Sequence, residues 1–329
     1  MKSKLLIPTA LFLFVAASTV SAQTVTVVDL IPNTNSNEAN DDSEPNLAVN
    51  PANPQQMAAS AFTPDSSGAV NAQPIFLSQD GGQTWTESSI IPVNANNTCP
   101  ATCDITLRFG GASSILYIGW LDGNISVFPA TVEYSVGRAT PFPTPPTSVT
   151  VLENIPESTS FRDQPYTQAT TVMGDPAGGS GNDRVYIGSN DASKNPKGAT
   201  VDQSLDVATA APPAGLSADL LEVRTNCGSD GPPIRPSMHP DGTVYALFSS
   251  WTTCSATSTV ADTVLTRDDS WGRNGYSALL DSGDSKAGVK VAPGVPVEIS
   301  PLWGLDAESV FARRDLPKTI DKATYLAGG

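Results

Sequence analysis

A single histidine, His239, limits the chemistry open to this 329-residue chain. A Ser-His-Asp triad would have to use it, yet no Gly-x-Ser-x-Gly nucleophile turn accompanies it. The run Met238-His239-Pro240-Asp241-Gly242 reads instead as a turn between strands. A zinc site is equally poorly supplied: beyond His239 there are four cysteines, and Cys99-Pro100-Ala101-Thr102-Cys103 has no second paired motif nearby. Cys99 and Cys103 are close enough to pin one loop, and Cys227 and Cys254 flank a strand pair, so disulfides are the expected use of all four. The glycine-rich stretch at residues 175–183 lacks the Gly-Lys-Ser/Thr ending of a phosphate loop and is followed by no helix, which makes it a connection within a sheet. Asp41-Asp42 has the oxygen chemistry for calcium, but a solvated turn is the simpler account, so no cofactor is expected and calcium stays open.

The N-terminus has the three parts of a secretory leader: Lys2 and Lys4, an apolar run at residues 5–17, and the small-residue exit Val20-Ser21-Ala22. The apolar run is shorter than the roughly 20 residues that span a bilayer, and no later stretch approaches that length. Cleavage after Ala22 and no membrane anchor are expected, with residues 23–329 exported to a periplasmic or extracellular location. A formal net charge of -15 argues against nucleic acid, whose binding is driven by Lys and Arg neutralising phosphates. The oligomeric state is not legible.

With 26 Gly, 28 Pro and only 16% charged residues, and with no long amphipathic helical pattern, the chain reads as all-β. A unit of short strands recurs at residues 43–92, 103–155, 162–226 and 235–295, each beginning at an inner strand and moving outward, the third to a last strand at residues 220–224. The starts are Ser43-Glu44-Pro45-Asn46-Leu47-Ala48-Val49, Asp104-Ile105-Thr106-Leu107-Arg108-Phe109, Asp163-Gln164-Pro165-Tyr166-Thr167-Gln168-Ala169 and Arg235-Pro236-Ser237-Met238. Such strands also suit a β-sandwich or jelly roll, but the four-strand period favours the blades of a β-propeller. The run Pro141-Phe142-Pro143-Thr144-Pro145-Pro146 is a stiff connector within the second repeat.

Ser78-Gln79-Asp80-Gly81-Gly82-Gln83-Thr84-Trp85 matches Ser-x-Asp-Gly-Gly-x-Thr-Trp at every position. Local physics explains the pattern: Asp80 accepts from the turn's own amides, Gly82 tolerates positive φ, and Trp85 packs beneath the hairpin. A degraded echo, Thr266-Arg267-Asp268-Asp269-Ser270-Trp271, follows the third strand of the fourth repeat, the same phase as in the first. The motif resembles the Asp-box, or BNR repeat, of the sialidase superfamily. With residues 42–51 it looks like the opening blade of bacterial exported sialidase-like proteins. The specific motif covers this first blade, and the blade pattern covers most of the mature chain.

The resemblance implies a sialidase-like β-propeller and an exported glycoside hydrolase of exo-α-sialidase type acting on terminal sugars of glycoconjugates. Sialidases hold a substrate carboxylate with three arginines and use an Asp as acid/base and a Glu-activated Tyr as nucleophile. Phe161-Arg162-Asp163-Gln164-Pro165 and Ile234-Arg235-Pro236 are loosely similar to the family's arginine-bearing strand starts, and Arg108 lies comparably in the second repeat. Arg108, Arg162 and Arg235 are thus the substrate-binding candidates, although ordinary surface or inter-blade ion pairs are the simpler reading of the same three. Asp163, Tyr166 and Glu44 are the catalytic candidates, with Asp104 and Asp42 at comparable strand starts. Ser78, Asp80, Gly82, Thr84 and Trp85 are structural. Four repeats fall short of the six blades of sialidases, so a truncated product is expected, with residues 296–329 a tail or partial fifth blade that includes Ala307-Glu308-Ser309-Val310-Phe311. A non-catalytic propeller that binds a glycan or protein, or an inactive fragment, is the alternative to the enzyme.

Overall fold

The computed structural model describes residues 27–30, 43–63, 73–93, 104–124, 131–139, 146–155, 162–175, 181–191, 193–194, 198–205, 216–227, 234–239, 241–255 and 258–298. Sixteen strands form four antiparallel sheets of four, each in simple sequence order, with no helix among the described residues. The first sheet contains β1 (Ser43–Val49), β2 (Met57–Phe62), β3 (Ile75–Ser78) and β4 (Thr86–Ser88). The second contains β5 (Ile105–Phe109), β6 (Leu116–Asn124), β7 (Thr131–Ala139) and β8 (Val149–Ile155). The third contains β9 (Arg162–Thr171), β10 (Asp183–Asp191), β11 (Gly198–Ser204) and β12 (Ser217–Leu220). The fourth contains β13 (Ile234–Met238), β14 (Val244–Cys254), β15 (Ser258–Asp268) and β16 (Val289–Glu298). The first strands of successive sheets touch one another, which makes the sheets blades of a β-propeller with β1, β5, β9 and β13 innermost.

Alternation along each strand supplies one face to each neighbour. In β5, Ile105, Leu107 and Phe109 are buried while Thr106 and Arg108 are not fully so. They join Ala48, Ala58, Ile75, Leu77, Ile118 and Trp120 in the seam between blades one and two. Tyr117, Tyr134, Val185 and Ile187 fill the second seam, and Tyr186, Val201, Ile234, Ala246 and Phe248 the third. Three apolar clusters therefore correspond to three blade-to-blade contacts.

Two outer strands differ from the sequence reading. The last strand of the third blade, expected at residues 220–224, is β12 at Ser217–Leu220. Glu222 draws the chain off the sheet by accepting from the amides of Arg224 and Thr225, and Arg224 turns instead to Asp284 in the fourth blade. The fourth blade runs on through β16 to Glu298, so residues 296–298, expected in the tail, belong to it. Pro293, Gly294 and Pro296 mask this strand in the sequence, and an outer strand tolerates them because its far side needs no ladder bond. The leader, Asp41-Asp42, the Cys99–Cys103 loop and residues 299–329 lie outside the described residues. Cys227 and Cys254 are joined, which pins the connection into the fourth blade to the end of β14.

The second seam also holds a buried carboxylate, Asp183, which accepts from the hydroxyls of Tyr117 (2.7 Å), Ser113 and Thr171. Gly110 provides the room: a Cβ there would lie 2.1 Å from Asp183 Oδ2. Gly110→Ala is expected to cost about 1–3 kcal/mol of stability through this overpacking, measured by urea denaturation.

Candidate functional site

Three of the four inner strands, β5, β9 and β13, each place one half-buried polar side chain at a common point. Tyr166 of β9 is flanked by two guanidinium groups: Arg108 of β5 lies 5.5 Å from its ring centroid and Arg235 of β13 lies 4.8 Å from it. Arg108 Nη2 also donates to the Tyr166 hydroxyl at 3.4 Å. Among the described residues no carboxylate is paired with Arg108, and its other donors go to Leu107 O (2.7 Å) and Asn46 Oδ1 (3.4 Å). Asn46, from β1, accepts the Leu107 amide at 3.0 Å through the same oxygen, so all four inner strands contribute to this funnel.

A β-bulge decides which residues of β9 reach it. Tyr166 pairs with Gly188 and Asp163 with Asn190, so three steps along β9 match two along β10, and Gln164 absorbs the extra residue at φ 52°. Asp163 and Tyr166 consequently share a face, the one turned towards β13, since a Cβ on Gly188 would meet Ile234 and Pro236. Arg162 pairs with Asp191, one step further, and faces the other way. It is buried against Asp202 and Asp191 with its guanidinium 5.6 Å from the Tyr134 ring of the second blade. Of the three arginines singled out by sequence, the structure thus brings two together and places Arg162 in an ion pair at a seam.

Asp163 is half-buried, and its Oδ1 accepts the Gln164 amide at 2.9 Å. Glu44 lies in β1, but its side chain is outside the described residues, as is Asp42. Asp104 precedes β5, and its carbonyl accepts the Leu121 amide. His239 is exposed, 3.0 Å from Asp241 Oδ1, in a turn where Asp241 also accepts the Thr243 amide. Asn46 was not among the sequence candidates. Its signal was present in the parallel Pro45-Asn46 and Pro165-Tyr166 pairs, each on an inner strand.

The turn between β3 and β4 is built as its residue pattern requires. Ser78 Oγ accepts the Gly82 amide (2.9 Å) and donates to Asp80 Oδ1 (2.8 Å). Asp80 accepts from Thr84 N (2.9 Å) and Thr84 Oγ1 (2.6 Å), and Trp85 Nε1 donates to Gly82 O (2.9 Å). Gly81 and Gly82 sit at φ 74° and 85°, conformations that exclude most side chains. In the fourth blade Asp268 gathers the amides of Ser270, Gly272, Asn274 and Tyr276. There, however, the Trp271 ring lies against Gly242 in the β13–β14 turn and also stacks on Arg184 of the third blade at 4.5 Å. Among the described residues no group of three or more His, Cys, Asp or Glu side chains is placed to hold a metal ion.

No family model and no curated protein matches the sequence. Solved structures of similar shape include the GH93 α-L-arabinofuranosidase of Fusarium graminearum bound to arabinobiose, at 10% identity and a TM-score of 0.47, covering 78% of this chain and 68% of that one. The α-L-arabinanase of Cellvibrio cellulosa overlaps at 13% identity and 0.40, over 76% of this chain and 77% of that one. An exo-1,5-α-L-arabinanase from a bovine ruminal metagenomic library gives 10% and 0.39, over 78% of each. At these identities and scores neither residues nor activities are transferred from them.

Thr84 holds the Asp80 carboxyl at about 2, below its ordinary 3.8, by donating both hydroxyl and amide to the ionised form. A depressed carboxyl stabilises the fold above its unfolded value and loses that contribution as pH falls through the folded value. The difference in thermal midpoint between wild type and Asp80→Asn should therefore be constant from neutral pH down to about 4.5 and shrink from about 4 to 2. A difference that persists unchanged to the lowest pH would show that Asp80 acts by some means other than its charge.

Proposed function

We propose that this chain is an exported, carbohydrate-directed propeller that hydrolyses the glycosidic bond of a terminal sugar bearing a carboxylate. The carrying observation is the convergence of Arg108 and Arg235 on Tyr166 from three inner strands. Guanidinium groups match a carboxylate in shape and charge, and the Tyr166 ring between them holds the two in place. In this reading Arg108 and Arg235 hold the carboxylate, Asp163 on the same face as Tyr166 serves as acid/base, and Tyr166 is the nucleophile, as resemblance to sialidases implies. The Cys227–Cys254 bridge accords with an oxidising compartment.

One observation favours a second reading, a propeller that binds such a sugar without cleaving it. The Tyr166 hydroxyl has Arg108 as its hydrogen-bond partner among the described residues, whereas a nucleophilic phenol needs a base to take its proton.

Both readings predict that Arg108→Ala and Arg235→Ala each weaken binding of an acidic saccharide by about ten- to a hundredfold, the loss of one charge-assisted contact, read by calorimetry or a glycan array. They part on Tyr166→Phe and Asp163→Asn. Under hydrolysis these abolish release of a fluorogenic sialoside, or of the active member of a mixed glycoside panel, while affinity survives. Silence of the wild type on the whole panel removes the enzyme reading, and an array without acidic hits removes both.

A further inference from the structure

The seam between the second and third blades holds a polar cluster whose charges do not balance. From the third blade come Arg162 on β9, Asp191 on β10 and Asp202 on β11, all buried, with Arg162 paired to Asp202 and 3.7 Å from Asp191. From the second come Tyr134 on β7 and Glu153 on β8, which share a face because Tyr134 and Val136 pair with Ile155 and Glu153. Asp191 has further donors in Thr200 and Ser193, and the partly exposed Lys194 is 3.8 Å away. Three carboxylates therefore share one buried guanidinium, and Arg162 is taken by the two on its own blade. Of the remaining charged groups on β7, Glu133 is bonded by Asn154 and alternates to the opposite face, and Arg138 lies beside Tyr117.

Glu153 is left over. Its Oε2 is buried without a hydrogen-bond partner, while the Tyr134 hydroxyl turns to Asp202. A carboxylate in that position is disfavoured twice, by desolvation and by the neighbouring Asp202, and the inexpensive remedy is to keep a proton.

We propose that Glu153 is a proton-operated latch of this seam: it is carried as the neutral acid, and its ionisation sets a second negative charge against Asp202 and loosens the contact between the second and third blades. Burial and then Asp202 push its carboxyl up to about 7, with Arg162 opposing. Burial likewise raises Asp202, to about 6. Because the folded value of Glu153 lies above its ordinary 4.5, the folded chain keeps a proton that the unfolded chain releases. The seam is tight below that ordinary value, weakens as pH rises from there to the folded value, and carries the full penalty above it. Arg162 immediately precedes Asp163 and the bulge at Gln164, so the latch acts on the strand that delivers Asp163 and Tyr166 to the funnel. It does not depend on what the funnel binds.

The test is urea denaturation of the full chain, wild type against Glu153→Gln, at steps from pH 5 to 8. The wild-type unfolding constant should rise relative to that of the variant by about tenfold or more across this range. Parallel profiles for the two proteins overturn the latch. A second measurement needs no variant: carboxyl 13C NMR of glutamate-labelled wild type should contain one glutamate titrating near neutrality, and glutamates that all titrate below pH 6 overturn it equally. Glutamate labelling separates this signal from that of Asp202.

Discussion

Every blade in this protein depends on burying its faces against its neighbours. A four-stranded meander has two faces, and strand alternation makes both of them partly apolar, so a blade cannot be stable alone. The three apolar clusters are the three seams where this requirement is met. The same seams contain the buried polar groups, because a side chain long enough to cross from one sheet to the next must leave its charge inside. Asp183 is satisfied there by three hydroxyls, Arg184 by Asp175 with Trp271 over its face, and Arg162 by Asp202 and Asp191. Buried ions of this kind contribute little net stability when paired and cost several kcal/mol when a partner is lost. Asp183, bonded across the seam by Tyr117 and Ser113, therefore acts more to fix which blade meets which than to hold the sheets together, whereas the ion pairs of Arg162 and Arg184 stay within the third blade.

Legibility from sequence followed the range of the interactions. The inner strands were readable because alternation and turn residues are local, and the β3–β4 turn was readable because Ser78, Asp80, Gly82 and Thr84 bond within a few residues of one another. β16 escaped because its Pro293, Gly294 and Pro296 imitate a loop, and β12 shifted because Glu222 and Arg224 answer to groups elsewhere in the fold. Trp271 read as the echo of Trp85, and its anchoring Asp268 does organise a turn, but its ring also reaches Arg184 of another blade. Such a destination is set by a partner 87 residues away and leaves no trace in a local pattern.

The funnel shows the same division. Arg108, Tyr166 and Arg235 could be gathered from their places at inner strands, and Arg162 fitted the identical criterion. What separates it from the others is parity: one extra residue in β9 at Gln164 exchanges the faces on either side of the bulge. Asn46 carries no charge to draw notice, yet one oxygen of its side chain joins the first blade to both the backbone and the guanidinium of the second.

Because each sheet is a simple meander, strand pairing among the described residues stays within its own blade, and side chains carry the bonds from one sheet to the next. The molecule is thermodynamically close to a row of units coupled by nearest-neighbour terms, as in other repeat proteins. A lesion inside one blade then propagates only through the seams it weakens. Insertions at the outer connections can accumulate with little effect on the centre. The second and third blades, each held by a described seam on both sides, are the part of the row in which a heritable change is least free to stay local.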